Sequence, residues 1–209
     1  MPNSREEQGI RKMIFTGTGQ VSVNPDLAIL RLGVQSTGED VTQIQAENGR
    51  ISQQILDALH ELGINDIKTY EYQIEKMYDY ENGQRIDKGY SVRNIFEIRT
   101  TELGQVGVII DTAVQHGANV VDFINFDVEN PEVYYQQALT MALNNAFQKA
   151  KTISSSLRIM FNPVPIMIKE NGTPPTPFAP MYASREAYTT PIEPGSKQIT
   201  ANLTVEFAY

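Results

Sequence analysis

The residue types that most often perform catalysis or bind metals are scarce in this sequence. It contains no cysteine and only two histidines, His60 and His116. The lack of cysteine excludes thiolate nucleophiles, disulfides, cysteine-ligated zinc and iron–sulfur clusters. Each histidine falls in the last turn of a predicted helix, where the helix dipole favours a partly cationic imidazole, and neither lies in an HExxH pattern. We therefore predict no catalytic residue, no metal and no cofactor, and a protein that is not an enzyme.

Three short motifs resemble functional sequences but lack their essential parts. Gly17-Thr18-Gly19 has no third glycine, no following Lys-Ser/Thr and no helix behind it, so its glycines indicate a bulge or a close backbone approach. Ser154-Ser155-Ser156 lies in a predicted helix without a GxSxG elbow. Asp79, Glu81 and Asp87 surround a predicted hairpin loop without EF-hand spacing. We interpret these acids as solvated, with weak cation binding as the alternative.

Tyrosines form the candidate interaction surface. They are consistent with aromatic pairing across a sheet, or with a protein–protein interface, where tyrosine anchors are enriched. A platform for single-stranded nucleic acid would need basic neighbours that an acidic protein lacks. The candidate interface residues are Tyr70, Tyr72, Tyr78, Tyr80 and Tyr90 on a predicted hairpin, and Tyr182 and Tyr188 in a proline-rich loop.

The overall charge narrows the set of partners. With 17 basic and 25 acidic residues the net charge is −8, which argues against nucleic acid and anionic membrane surfaces. We expect no membrane span, because no apolar run approaches the ~20 residues that one requires. The polar start of the sequence has no apolar signal core, so we expect a cytoplasmic protein, or a periplasmic or secreted one if a signal was removed.

Hydrophobic periodicity predicts the elements that position these residues. Alternating residues predict a first strand over 14–35, interrupted at Asn24-Pro25-Asp26, and three- and four-residue spacing predicts a helix from Val41 to Leu62. The rest follows as a hairpin with a long loop from Tyr80 to Lys88, a short helix, a strand, a long alanine-rich helix from Asn130 to about Arg158, and two final strands. This predicts an α+β fold in which a βαββαβ, ferredoxin-like order precedes a long helix and two strands. We expect one sheet with helices packed on one side.

The same reading divides the chain into a tail and one domain. Residues 1–12 are predicted to be a flexible tail, and 13–209 a single domain. Its proline-rich loop over 170–195 contains six of the 11 prolines. Loops this long are usually functional or disordered, so we expect protease to cut first near Ala183–Glu186.

Several segments together resemble the SIMPL-domain family. Gly17–Ala28, followed by Gly33-Val34, is similar to the family opening GxGxVxVxPDxA…GV. Tyr78-Asp79-Tyr80 with Lys88–Asn94 resembles the family hairpin, and Pro194–Val205 resembles its last third. The resemblance extends from Met13 to the C-terminus.

Membership would imply a mostly bacterial protein of unknown function, often exported, without catalytic residues to carry over. One periplasmic member, an immunogenic protein, forms large ring-like homo-oligomers, and others are described as oxidative-stress defence proteins. The leading hypothesis is therefore a non-enzymatic, self-assembling protein, larger than a dimer, linked to envelope or oxidative-stress physiology. The alternatives are a small-molecule binding module or enzyme with a tyrosine and carboxylate pocket, and an adaptor that binds proteins through its proline-rich loop.

Overall fold

The described part of the chain forms seven strands and three α-helices, which confirms the α+β class and the long helix before the last strands. The computed structural model describes residues 11–81, 83–172, 192 and 194–209. The elements are β1 (Lys12–Val23), β2 (Leu27–Gly38), α1 (Val41–Glu61), β3 (Ile67–Glu81), β4 (Gln84–Thr100), a short 3-10 helix (Leu103–Gln105), α2 (Val106–Gln115), β5 (Val120–Asp127), α3 (Pro131–Leu157), β6 (Met167–Glu170) and β7 (Lys197–Ala208).

The strands form two antiparallel sheets instead of the single sheet expected. A three-stranded sheet has the order β1-β7-β6, and a four-stranded sheet has the order β3-β4-β2-β5. The predicted first strand divides at Asn24-Pro25-Asp26, because Pro25 has no N–H to donate to a ladder. Its two halves, β1 and β2, then pair in different sheets. Both halves alternate with period two, but odd-numbered residues face inward in β1 and even-numbered ones in β2, so the division appears as a change of phase.

Two compact units contain these sheets. Among the described residues, the first unit comprises 11–23, 130–172 and 196–209, and the second comprises 24–81 and 83–129 with 192, 194 and 195. The first unit has the three-stranded sheet and α3, and the second has the four-stranded sheet with α1 and α2. The single domain over 13–209 stays a prediction.

Small residues allow α3 to pack closely on β1 in the first unit. Ala138, Ala142 and Ala146 are completely buried along one side of α3. A Cβ added to Gly17 would lie 2.0 Å from the carbonyl oxygen of Ala142, and one added to Gly19 would lie 2.0 Å from that of Ala138. This confirms that the glycines serve a close backbone approach. It also explains why the alanines recur every four residues.

Side chains of α3 also cover the outer edge of β1. Asn145 Oδ1 accepts a hydrogen bond from the N–H of Thr18 at 3.3 Å. The ammonium group of Lys149 donates to the carbonyl oxygen of Thr16 at 2.7 Å. Backbone groups that would otherwise be open to another strand are therefore bonded within the unit.

A tyrosine with a raised pKa links α3 to β6. The Tyr135 hydroxyl donates to Glu170 Oε1 at 2.5 Å, and this bond, together with burial, raises the pKa of Tyr135 to about 12. The unfolded state releases the proton near pH 10. The stabilisation is thus complete below pH 10 and is lost as the pH rises toward 12.

Between pH 9 and 11.5 we expect the free energy of unfolding to fall less in Tyr135→Phe than in the parent, because the phenylalanine has no proton to release. Urea unfolding followed by circular dichroism at both pH values measures this loss. Tyr209→Phe, at an exposed tyrosine of the same unit, is the control and should behave as the parent. An equal loss in Tyr135→Phe and the parent would contradict the assigned hydrogen bond.

In the second unit, α1 and α2 pack on one face of the four-stranded sheet. Leu30, Leu32 and Ile98 belong to the buried core beneath them, together with Ile55 and Ile109 from the helices. Asn48 of α1 is also completely buried. Its amide donates to the carbonyl oxygens of Val34 at 3.2 Å and Val92 at 3.0 Å, so it ties the helix to two strands. We call this the helix side of the sheet.

Both helices of this unit end at the predicted glycines. Gly63 and Gly117 have φ angles of 82° and 101°, which favour glycine. His60 lies in the last turn of α1, and His116 follows the last residue of α2. His116 Nδ1 lies 2.8 Å from the carbonyl oxygen of Thr112. The structure therefore confirms that both histidines stand at helix ends.

The β3–β4 hairpin is longer than predicted. β3 continues to Glu81, and β4 already begins at Gln84. The predicted loop from Tyr80 to Lys88 is wrong, because the ladder continues past a register shift between Lys76 and Tyr78. Gly89, with a φ angle of 83°, supplies the unusual backbone conformation beside this irregularity.

Most of the predicted proline-rich loop lies outside the described residues. Its first residue, Glu170, belongs to β6, and Ile192 packs against the core of the second unit. Tyr182, Tyr188 and the expected cleavage region at Ala183–Glu186 are not among the described residues. In the described part of the chain, no helix has the length and hydrophobicity needed to cross a membrane.

Candidate interaction surface

The β3–β4 hairpin carries the five tyrosines of the candidate surface that the structure describes. β3 forms one edge of its sheet, and its tyrosines are well exposed: 50% for Tyr70, 51% for Tyr72, 40% for Tyr78 and 70% for Tyr80. Tyr90, on β4, is half-buried. Such exposure is unusual for large aromatic side chains and marks the hairpin as a possible contact surface.

The face opposite the helices carries a row of charged and aromatic residues. We call it the open face. Lys68, Glu97, Arg31 and Phe123 stand opposite one another on β3, β4, β2 and β5. Directly paired residues of antiparallel strands have side chains on the same face, and neighbours along a strand alternate between faces. The row therefore spans the sheet on the side away from the core residues Leu30 and Ile98.

Glu97 is the centre of this row. Its side chain accepts from Arg31 Nη2 at 2.8 Å and from Lys68 Nζ at 2.9 Å, and the residue is only 6% exposed. The hydrogen bond from Lys68, reinforced by Arg31, lowers the pKa of Glu97 although burial opposes this. The carboxylate is thus kept ionised by two cations.

Two aromatic rings flank Arg31. The guanidinium carbon lies 3.7 Å from the centre of the Tyr70 ring and 4.8 Å from that of Phe123. Cations over aromatic faces are attracted by the ring quadrupole. Tyr70 is therefore partly occupied by a contact within the unit.

A second set of polar contacts lies along the open face. Arg93 forms ion pairs with Glu71, at 3.4 Å, and with Asp122. It also donates to Gln35 Oε1 at 3.4 Å. These contacts connect β3, β4, β2 and β5. The open face therefore carries a network of ion pairs and hydrogen bonds that spans the sheet.

The remaining tyrosines have different surroundings. The Tyr72 hydroxyl accepts from Gln45 of α1 at 3.2 Å, which places Tyr72 on the helix side. Lys76 lies 5.6 Å from the Tyr78 ring and 5.5 Å from the Tyr90 ring, so these two tyrosines are brought together. The structure therefore distributes the five tyrosines over both sides of the hairpin.

The periodicity of β4 contains a signal for the charged face. Arg93, Glu97 and Arg99 are separated by even numbers of residues, and Arg31 lies in the facing strand. Charged residues at period two in a strand predict one polar face. That signal identifies the open face from the sequence, whereas the tyrosines of the same hairpin do not.

The other sequence candidates do not assemble into a catalytic site. The hydroxyl groups of Ser154 and Ser156 donate to backbone oxygens one turn earlier in α3. Asp87 pairs with Lys76 at 2.6 Å, and Asp79 lies 4.0 Å from Lys88. Within the described ranges, no group of three or more histidines and acids could hold a metal ion.

Fold and surface together define a two-sheet α+β protein whose distinctive feature is an exposed aromatic hairpin beside a charged sheet face. The chain belongs to the SIMPL family. Residues 13–207 match this family, which is described as "Protein of unknown function (DUF541)". The match confirms the resemblance seen in the sequence motifs.

Several characterised and uncharacterised proteins are similar to this chain. The "26 kDa periplasmic immunogenic protein" of Brucella melitensis biotype 1 is 29% identical over 210 residues, which cover 94% of this chain and 84% of that protein. "Uncharacterized protein YggE" of Escherichia coli K12 is 25% identical over 73% of this chain and 63% of its own length. The "Interleukin-1 receptor-associated kinase 1-binding protein 1" of Mus musculus is 25% identical over 79% and 62%.

Proposed function

We propose that this chain is a non-enzymatic protein that assembles with copies of itself through the β3–β4 hairpin, into a particle larger than a dimer. The observation that carries the proposal is the edge strand β3, 15 residues long, with four tyrosines at least 40% exposed. Tyrosines are frequent anchors of protein interfaces because they bury a large area with little loss of conformational freedom.

β1 is an edge strand of the three-stranded sheet and β3 is an edge strand of the four-stranded sheet, and the two edges are covered differently. The edge of β1 is bonded by Asn145 and Lys149 of α3. Among the described residues, no helix side chain bonds to the backbone of β3. An uncovered edge offers a row of N–H and C=O groups to another strand. The same strand of a second copy has equal length and can pair with it antiparallel about a two-fold axis.

An assembly larger than a dimer needs a second contact in addition to β3. The open face and the proline-rich segment are the candidates, and Tyr182 and Tyr188 of that segment stay predictions. An adaptor role for the same segment also stays a prediction.

The relatives suggest where such a protein would work. One of them is named periplasmic, so we propose the bacterial envelope as the location, and the cytoplasmic expectation has no support from these relatives. A link to oxidative stress is part of the same proposal. Without cysteine, the chain could not respond to an oxidant through a thiol.

We expect the purified protein to have a mass of several times the 23.4 kDa of one chain. Light scattering on a sizing column, over a wide concentration range, measures this mass. Tyr72→Lys combined with Tyr80→Lys should shift the distribution toward 23.4 kDa, because a lysine on an edge strand opposes pairing with another strand.

Tyr209→Lys is the matched control, since it places the same charge at an exposed tyrosine outside the hairpin. It should leave the mass unchanged. A parent protein that stays at 23.4 kDa at every concentration would refute self-assembly. An assembly that survives the double substitution would refute the hairpin as its contact.

A further inference from the structure

A cavity of about 710 Å³ lies at the C-terminal end of α1, within the second unit, and we call it the α1 cleft. Its volume is in the range of sites for small molecules, about 300–1,000 Å³. No tyrosine is among its lining residues, although Lys68 belongs to both the cleft and the open face. Its apolar lining residues are Leu27, Leu62 and Ile64, and its charged ones are Asp66, Lys68, Arg99, Glu102 and Glu129.

Backbone hydrogen bonds hold the walls of the cleft in place. At the end of α1, the Gly63 N–H donates to the His60 carbonyl oxygen at 2.9 Å, and the Ile64 N–H donates to the Leu59 carbonyl oxygen at 3.0 Å. Across the cleft, the Glu102 N–H donates to Thr100 Oγ1 at 3.1 Å. The site is therefore formed before any ligand arrives, which reduces the entropy lost on binding.

The cations of the cleft retain capacity for an anionic ligand. Arg99 Nε lies 4.0 Å from Asp66 Oδ2, which is longer than a hydrogen bond, and the Arg99 side chain is 40% exposed. A guanidinium group has five N–H donors in a planar fork that matches a carboxylate. Lys68 adds a second positive charge near the cleft, although Glu97 already engages it.

The acids of the cleft supply the opposite charge. Glu102 and Glu129 line it together with Asp66, and both glutamates are exposed. An ammonium group on a ligand would be attracted to these carboxylates. Leu27 and Ile64 also line the cleft and are almost fully buried, and we call these two residues its apolar floor.

We propose that the α1 cleft binds a small zwitterion with an apolar side chain, of the kind found in free amino acids and short peptides. Arg99 receives the ligand carboxylate, Glu102 and Glu129 attract its ammonium group, and the side chain rests on the apolar floor. None of the lining residues belongs to the tyrosine set, but Lys68 lies on β3, so ligand binding and self-assembly are measured separately.

Isothermal titration of the full chain with L-leucine tests the proposal, using N-acetyl-L-leucine and L-leucinamide as analogues that lack one charge. We expect leucine to bind. The affinity of each analogue should be lower by about tenfold or more, since each analogue loses one charge-assisted contact. Arg99→Gln should weaken leucine about tenfold, whereas Arg85→Gln, on the hairpin, should not change it.

Three results would overturn the proposal. The first is that titration with leucine gives no heat of binding. The second is that an analogue lacking one charge binds with the affinity of leucine, and the third is that Arg99→Gln binds leucine with the affinity of the parent. Circular dichroism of both variants establishes that they are folded. A mass measurement on the same samples shows separately whether self-assembly holds.

Discussion

Replacing Gly17 with alanine is expected to destabilise the first unit by about 3 kcal/mol, the upper end of the usual cost of overpacking a core. The new Cβ would lie 2.0 Å from the carbonyl oxygen of Ala142, where no atom fits. That oxygen belongs to the backbone of α3, so the whole helix would have to move away from β1. Urea unfolding followed by circular dichroism measures the change.

Gly49→Ala is the control for this prediction. Gly49 lies inside α1, and a Cβ there would have no neighbour within 4 Å. Because alanine has a higher helix propensity than glycine, we expect the free energy of unfolding of this variant to rise by about 0.5–1 kcal/mol. Similar stabilities for Gly17→Ala and the parent would show that α3 does not approach β1 this closely.

The structure gives the opening family motif a structural role. Gly17 and Gly19 allow α3 to pack closely on β1. The Asp26 carboxylate accepts a hydrogen bond at 2.7 Å from the N–H of Glu129, which precedes α3 in the sequence. Ala28, near the end of the motif, is completely buried in the core of the second unit. The most recognisable stretch of the sequence therefore shapes the fold.

Local features of the fold were predictable because their causes lie within a few residues. The glycine stops after α1 and α2, at Gly63 and Gly117, need only a positive φ angle at one position. The proline at the start of α3 acts in the same local way. Hydrophobic spacing likewise gave the correct type for each main element.

Long-range pairing was less predictable, because it depends on contacts between distant parts of the chain. Nothing within residues 12–23 indicates that β1 pairs with β7, near the C-terminus. The row of Lys68, Glu97, Arg31 and Phe123 likewise exists only after four strands adopt one register. The α1 cleft also combines a helix end with residues of β2, β3 and β4 and of the segments that follow β4 and β5. The tyrosines could be found from the sequence, but their distribution over two sides could not.

The second large effect concerns Glu97. We expect Glu97→Ala to destabilise the second unit by about 2 kcal/mol, the cost of losing hydrogen bonds to charged groups whose side chains, Lys68 and Arg31, are 60% and 27% exposed. Glu97 is 6% exposed, and its loss leaves Arg31 between two rings without a counterion. Glu47→Ala, at an exposed acid of α1, should change stability little. An equal effect of the two substitutions would contradict the role of Glu97.

The pH dependence distinguishes the charge of Glu97 from its packing. Because Lys68 and Arg31 lower the pKa of Glu97 in the folded state, its carboxylate stabilises the fold above the unfolded value, near 4.3. This stabilisation is lost as the pH falls through the lower, folded value. Glu97→Gln keeps the size of the side chain but cannot ionise, so its unfolding midpoint in urea should decline less than that of the parent between pH 6 and pH 3. Parallel declines would mean that Glu97 contributes through its packing alone, and that the two cations of the open face do not depend on its charge.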